Sequence, residues 1–228
     1  MGATDGEIGI IKEIYFDDLT WTVRYLIVKA GNFLQGKLTL ISTQALLAPD
    51  WENELFPTNL TMDQIKNGPD IDTDKPVYRQ QETKLYDHFP WDIYWGIGLI
   101  PLEDSVEMAL SEKINQGNTE SDPHLRSSDK ITGYVLRVAD GELGQVDDFI
   151  IDTDSWKITF VVVKTGTWFS DKKILLPIAW ISEIDWLASS ITVEATVEDV
   201  QQCAEFDPYA PVNEVYEKVL RDYSGRRI

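Results

Sequence analysis

The chain contains an internal duplication, which constrains its fold more than any other feature. At a constant offset of 135 positions, residues 4–91 align without a gap with residues 139–226. The stretch Asp5-Gly6-Glu7-x-Gly9 aligns with Asp140-Gly141-Glu142-x-Gly144, and Val28-Lys29-x-Gly31 aligns with Val163-Lys164-x-Gly166. Each copy of so long a repeat needs a structural unit of its own. We therefore expect two domains of similar fold.

The matched residues are typical of structure rather than of catalysis. Trp21 aligns with Trp156, and Trp51 aligns with Trp186, so we expect these tryptophans at equivalent core positions. The matched glycines are expected in turns that need a positive φ or a close backbone approach. They are Gly6, Gly9 and Gly31 in the first copy and Gly141, Gly144 and Gly166 in the second.

The chain is strongly acidic, which restricts its partners. It carries 39 acidic and 20 basic residues, for a net charge of -19. This charge repels nucleic acids and anionic lipids, whereas it suits a basic protein partner. The single cysteine, Cys203, allows no intrachain disulfide, so a cytoplasmic location is expected. No apolar run reaches the ~20 residues of a membrane span.

Each copy begins with a pattern of strands. The apolar runs that predict them are Ile8–Phe16, Trp21–Lys29 and Lys37–Ile41 in the first copy, and Leu143–Ile151, Trp156–Lys164, Lys173–Leu176 and Ile191–Ala195 in the second. The second run of each copy alternates early and is continuously apolar late, which is typical of a closed or sandwiched sheet. Each copy is therefore predicted to form a small β-barrel-like body.

Helices are expected after the strands. Thr61-Met-Asp-Gln64 and Thr196-Val-Glu-Asp199 resemble capping boxes that open short helices. A longer helix is predicted after Pro76, with Val77, Gln81, Leu85 and Phe89 on one face. The matching helix after Pro211 places Val215, Tyr216 and Val219 on one apolar face, so these residues are interface candidates. The predicted fold class is mainly β with helical tails.

The segment between the copies is aromatic and glycine-rich at its start. We divide the chain into a first repeat with its tail at 1–90, a linker at 91–123 with a short helix, and a second repeat with its tail at 124–228. Trp91, Tyr94 and Trp95 lie in this linker. Exposed aromatic residues mark interfaces, so they are candidates for partner contact, although packing on their own barrel is the simpler interpretation.

These residues resemble the PRC-barrel family, named for the cytoplasmic domain of the photosynthetic reaction centre H subunit. The Asp-Gly-Glu-x-Gly motif, the acidic turn and the Trp-bearing strand carry the resemblance twice, at 4–72 and 139–207. It implies two tandem PRC-type barrels, each followed by a helix, in a bacterial protein. It also implies a scaffold or adaptor that acts through protein contacts, and supplies no catalytic residues. A role like that of the ribosome maturation factors in the family is a further, weaker implication.

No set of residues points to catalysis. A convergent nucleophile, base or metal-ligand set is not recognisable, so we expect neither an enzyme nor a cofactor. The acidic stretches Asp152-x-Asp154 and Asp70-x-Asp72-x-Asp74 lack the rest of a calcium loop and are interpreted as turns. Cys203 is interpreted as a structural thiol. The alternative function is a small ligand or metal ion bound between the two barrels.

The first copy is short at its N-terminal end. The second copy has Ile131–Val138 as a plausible first strand, whereas only Met1–Thr4 precede Asp5. Either the natural chain starts earlier, or the first barrel lacks a strand. An unpaired strand edge favours pairing with another chain. We therefore expect a homodimer through the edge of the N-terminal barrel, near Thr4–Ile14.

Overall fold

The computed structural model divides into two compact units that we describe separately. The first unit comprises Met1–Leu19 and Arg24–Ser127, and the second comprises Thr20–Val23 and the chain from Ser128 onward. The residues described are 1–31, 37–68, 79–89, 91–92, 125–166, 172–201, 203 and 205–207. The short helix predicted in the linker, at 105–115, and the helix predicted after Pro211 lie outside these residues. None of the described helices is long and apolar enough to cross a membrane.

Three neighbouring strands form the main sheet of the first unit, and two short strands form a separate pair. β3 (Gly9–Asp17) lies beside β4 (Thr22–Ala30), and β4 also pairs with β5 (Leu38–Ser42). The short strands β1 (Gly2–Ala3) and β2 (Gly6–Glu7) pair with each other. Four successive residues of β4, 25–28, are buried, because the strand is covered on both faces. The predicted strands of this copy are confirmed to within about two residues.

Residues after the predicted linker complete the edge of this sheet. β6 (Leu125–Ser127) pairs antiparallel with β3 at Tyr15–Asp17. Leu125 is buried, Arg126 forms an ion pair with Asp18 at 2.7 Å, and the Ser127 hydroxyl donates to Glu13. The first unit therefore ends at Ser127, whereas the sequence placed residues from 124 onward in the second repeat.

The second unit contains the six strands that follow β6 in the described part of the chain. They are β7 (Val135–Val138), β8 (Gly141–Asp152), β9 (Lys157–Thr165), β10 (Lys173–Pro177), β11 (Ile181–Asp185) and β12 (Ser190–Val193). Their order is β11-β12-β7-β8-β9, with β10 on β9. Val161, Val162 and Val163 are fully buried in β9. The interpretation of Ile131–Val138 as one strand is wrong in its first half, because Ile131 ends the short helix α3 (Ser128–Ile131).

Bulges bend the long strand β8. Its register slips against β9 between Val146 and Asp148, and its register against β7 slips opposite Leu143. A bulge bends its strand and increases the local twist, as curvature of a sheet requires. Asp147 is the extra residue against β9, and its carboxylate binds Lys173 of β10 at 2.6 Å. The bulges thus help β8 to curve through the sheet of the second unit.

Backbone features recur at positions 135 apart. Trp21 and Trp156 have φ of 54° and 57°, and Glu54 and Ser189 have φ of 52° and 51°. The amide of Met62 donates to Asp5, and that of Val197 donates to Asp140. These amides begin helices α1 (Met62–Lys66) and α4 (Val197–Gln201). The side chains of Thr61 and Thr196 cap the same two helices, as predicted.

Two of the matched glycines are required by the backbone. Gly9 and Gly144 both have φ of 153°, and a Cβ on either would overlap a carbonyl oxygen, that of Lys29 or of Lys164. A Cβ on Gly6 would overlap the side chain of Met62. The prediction is wrong for Gly31 and Gly141, which have neither a positive φ nor a close neighbour. For Gly166, which borders residues outside the described part, it stays a prediction.

The aligned tryptophans are not core residues. Trp51 is 68% exposed, and Trp21, Trp156 and Trp186 are half-buried. Trp21 and Trp156 lie in the turns before strands, Trp186 follows the end of a strand, and Trp51 follows the bridged residue Asp50. At all four positions a side chain has solvent on one side. The core is formed instead by other aliphatic and aromatic residues, most of them on the strands. The largest are Ile8, Tyr15, Phe16, Tyr25, Ile27 and Leu40 in the first unit, and Ile131 and Leu136 in the second.

The N-terminal edge of the first unit is partly covered. Gly2 bridges Pro57, the amides of Ile8 and Gly9 donate to the Met1 carbonyl, and β6 covers the far end of β3. Ile10 remains 66% exposed between these covered stretches. The predicted homodimer stays a prediction, and the stretch of this edge that it could use is the one around Ile10.

Candidate protein-binding surface

A tight hairpin of the first unit presents an aromatic side chain to solvent. Asp50 and Leu55 are paired through both backbone groups, at 2.8 and 2.9 Å, and residues 51–54 form the loop between them. Trp51 opens this loop and is 68% exposed. We call residues 50–55 the first hairpin tip. A tryptophan so exposed buries much apolar surface when it is covered, as is typical of contact sites.

Asp50 and Asn53 fix the shape of the first hairpin tip. The Asp50 carboxylate accepts the Asn53 amide at 3.1 Å and its side-chain NH₂ at 2.8 Å. The side-chain hydrogen bond from Asn53 lowers the pKa of Asp50, because it stabilises the charged form. The carboxylate is therefore ionised at neutral pH and already engaged within the loop. The free acidic groups of the tip are the exposed side chains of Glu52 and Glu54.

Neighbouring apolar groups support Trp51. Its ring meets that of Phe56 edge to face, with centroids 5.6 Å apart. Such pairs contribute about 0.5–1.5 kcal/mol beyond the area they bury, so the contact orients the indole. Leu47, on the other arm of the same hairpin, is 50% exposed. Together these three residues give the hairpin an apolar surface beside carboxylates.

The second unit has a corresponding hairpin with different chemistry. β11 and β12 are joined by residues 186–189, which we call the second hairpin tip, and Asp185 pairs with Ser190. The Asp185 carboxylate accepts the amides of Leu187 and Ala188. Leu187 is fully exposed. The ring of the half-buried Trp186 packs against that of Tyr134, with centroids 6.2 Å apart. This tip is apolar without the carboxylates of the first.

The first interface candidate of the linker, Trp91, packs inside its own unit. It is 8% exposed, stacks on Phe89 with centroids 4.3 Å apart, and meets the rings of Tyr25 and Tyr86. Its assignment to an interface is therefore wrong, and the simpler interpretation, packing on its own barrel, is confirmed. Tyr94, Trp95, Val215, Tyr216 and Val219 lie outside the described residues.

Helix α2 (Arg79–His88) is held on the first unit by polar and apolar contacts. Leu85 and Phe89 are buried, as the predicted face requires. Beyond the helix, the Gln44 side chain donates to the Asp92 carbonyl and accepts from the Asp92 amide, each at 2.8 Å. His88 contacts the carbonyl of Gln64, at 3.1 Å. The tail is thus anchored along its described length.

Helix α2 itself carries a buried carboxylate. Glu82 has no solvent exposure and accepts the Tyr25 hydroxyl, also fully buried, at 2.9 Å. Burial raises the pKa of the nearby Tyr86 hydroxyl, and the negative charge of Glu82 adds to this effect. Trp91 contacts the Tyr25 ring, and neither Tyr25 nor Glu82 is exposed to solvent, so the pair is not accessible from the surface. We interpret it as an anchor of the helix.

Of the two remaining acidic stretches, the one that the structure describes forms a turn. Asp152 accepts the amides of Asp154 and Ser155 at 2.9 and 3.1 Å, so it shapes the turn after β8, as predicted. The stretch from Asp70 to Asp74 lies outside the described residues. Among the described residues, no three His, Cys, Asp or Glu side chains are grouped in a way that could hold a metal ion.

The thiol of Cys203 is poorly reactive. Burial raises its pKa to about 12, and the neighbouring Asp199 adds to the rise. The thiolate is the nucleophile, so little of it forms at neutral pH. We expect iodoacetamide at pH 8 to alkylate the native protein at least ~10-fold more slowly than the urea-unfolded protein. Because the pKa of the thiol is higher in the folded protein than in the unfolded chain, only the unfolded chain loses this proton between these two values. The free energy of unfolding therefore keeps the thiol's contribution below pH ~9 and loses it as pH rises toward 12. Equal alkylation rates would contradict this environment.

The sequence did not predict two features of the first unit, the burial of Glu82 and the exposure of Trp51. Glu82 precedes Leu85 by three residues and Phe89 by seven, so helical spacing places all three on one face, but a carboxylate is rarely fully buried. The exposure of Trp51 could have been inferred from its neighbours. Asp50, Glu52 and Asn53 around it are typical of a turn, where side chains reach solvent.

One comparison with known families identifies part of the chain. The model of the PRC-barrel domain matches residues 129–200. This range includes strands β7–β12, the glycine at 144 and the second hairpin tip. No curated protein matches the sequence. The family resemblance drawn from the repeated motifs is therefore confirmed for the second copy.

Proposed function

We propose, from the premise that residues 129–200 form a PRC-barrel domain, that this protein is a non-catalytic scaffold that binds other proteins. The proposal includes the first unit as a second PRC-type barrel and a cytoplasmic location. The backbone features that recur 135 positions apart support the first of these extensions.

The observation that carries the proposal is the exposure of apolar side chains at hairpin tips in both units. Trp51 is 68% exposed and Leu187 is 100% exposed. Each is held in a tip whose backbone is fixed by an Asp side chain, Asp50 or Asp185. A rigid loop loses little conformational entropy on binding, so an exposed apolar residue there is well suited to contact.

Capture from the native cell tests this function. The full-length chain is expected to retain one protein in stoichiometric amount, and W51S or L187S should reduce retention at least ~10-fold, because buried apolar anchors dominate interface energies. L19S is the matched control. Leu19 is 84% exposed in the turn between β3 and β4 and belongs to neither tip, so its variant should retain the partner fully.

Two outcomes would count against the proposal. Retention unaffected by either hairpin variant would remove the assigned surfaces. A rise of several degrees in melting temperature with one metal ion or metabolite, and no protein retained, would instead support the ligand-binding alternative. A bound partner that proved to be a ribosomal protein would favour the maturation-type role.

A further inference from the structure

We propose that the first hairpin tip recognises a cationic segment of its protein partner, with an arginine or lysine side chain over Trp51 and between Glu52 and Glu54. This inference rests on the proposed scaffold function and adds the chemistry of the partner. It concerns the first tip only, because the second hairpin tip, residues 186–189, has no carboxylate.

Two of the three carboxylates of the first hairpin tip are available to a cation. The Asp50 carboxylate already accepts two hydrogen bonds from Asn53, from its backbone amide at 3.1 Å and from its side chain at 2.8 Å. Glu52 and Glu54 are exposed, and neither makes an ion pair with any residue that the structure describes. They therefore leave two negative charges on either side of Asn53 without a neutralising group. A cation can bind them without displacing an existing partner.

The indole supplies the second half of the recognition. The face of a tryptophan ring attracts a cation, more strongly than those of tyrosine and phenylalanine. Trp51 is 68% exposed and oriented by its contact with Phe56. Flanking carboxylates add to the attraction for a positive group, and the apolar surface of the indole suits the aliphatic stem of a lysine or arginine. Charge and apolar surface thus favour one kind of side chain.

The whole chain favours the same partner. A net charge of -19 attracts cationic segments and raises the rate of encounter at low salt. Such attraction alone is diffuse and would act at every acidic surface. The tip differs because it joins free carboxylates to an exposed aromatic ring, so binding there should depend on Trp51 itself.

The test uses short peptides of arginine and leucine, with glutamine in place of arginine as the uncharged control. Binding to the full-length protein is followed through the indole NH resonance of Trp51, assigned by its loss in W51L. We expect the arginine peptide to shift this resonance and the glutamine peptide to leave it unchanged. Affinities of the variants are measured by isothermal titration calorimetry, which does not depend on the Trp51 signal. W51L and the E52Q/E54Q pair should each weaken binding about 10-fold or more.

Matched variants separate local recognition from bulk charge. E183Q and E198Q remove two exposed carboxylates of the second unit, so their combination changes the net charge as E52Q/E54Q does. It should leave the affinity within about twofold. Equal weakening by both pairs, or unchanged affinity in W51L, would overturn the inference. The scaffold function would survive that result if L187S still abolished retention of the cellular partner.

Discussion

Replacing Gly144 by alanine is expected to destabilise the second unit by about 3–5 kcal/mol, the sum of backbone strain and steric overlap. The residue has φ of 153°, and a Cβ there would overlap the Lys164 carbonyl oxygen and lie 2.9 Å from the Thr165 Cα. Both groups belong to the neighbouring strand β9, whose backbone cannot move without breaking its pairing. In urea unfolding followed by tryptophan fluorescence, the transition of this unit should move down by more than ~1 M.

Gly141 provides the control for this substitution. It lies in the same strand, and a Cβ there would meet nothing within 4 Å. Gly141→Ala should therefore change stability by less than about 1 kcal/mol, with a small gain from the reduced entropy of the unfolded chain. Gly9→Ala should repeat the large effect in the first unit. A Gly144→Ala protein as stable as Gly141→Ala would contradict the close backbone approach.

Replacing Tyr25 by phenylalanine is expected to destabilise the first unit by about 2–3 kcal/mol. The change deletes the hydroxyl that donates to the Glu82 carboxylate at 2.9 Å, in a place where neither residue is exposed. A buried charged group that loses a hydrogen bond incurs a large desolvation cost. Helix α2 should loosen first, since Glu82 lies on it, and hydrogen exchange of its amides should accelerate.

A double-mutant cycle isolates this contact. Glu82→Gln keeps an acceptor for the Tyr25 hydroxyl and removes the charge, so it should cost less than Tyr25→Phe. The combination of Tyr25→Phe with Glu82→Leu removes both polar groups and should recover part of the lost stability. If the destabilisations caused by Tyr25→Phe alone and by Glu82→Leu alone add up to that of the double variant, the two side chains are not coupled in the folded protein.

The strands could be predicted because their pattern is local. The run from Trp156 to Lys164 alternates early and is continuously apolar late, and β9 buries its residues in that order. The capping residues Thr61 and Thr196 identify helices for the same reason, since the cap and the amide it binds are three residues apart. Local rules suffice wherever both partners of an interaction are close in sequence.

The remainder depends on partners distant in sequence. Nothing near Gly141 or Gly144 distinguishes them, because the group that requires a glycine at 144 is a carbonyl of another strand. The burial of Glu82 depends in the same way on Tyr25. For the candidate surface, the sequence predicted a basic partner from net charge but placed Trp51 in the core. An aligned tryptophan indicates a repeated structural position, which here is the start of a turn.

The position of β6 has a consequence for how the chain can be cut or rearranged. The three residues Leu125–Ser127 lie after the linker in sequence, yet they complete the first unit along Tyr15–Asp17. A fragment ended at 90 or 123, as the repeat boundaries suggest, would leave that strand edge bare. Expression of the first unit alone therefore requires the chain through Ser127. The two repeats cannot be exchanged at the boundary between them, because a recombination point there would separate β6 from the first unit that it completes.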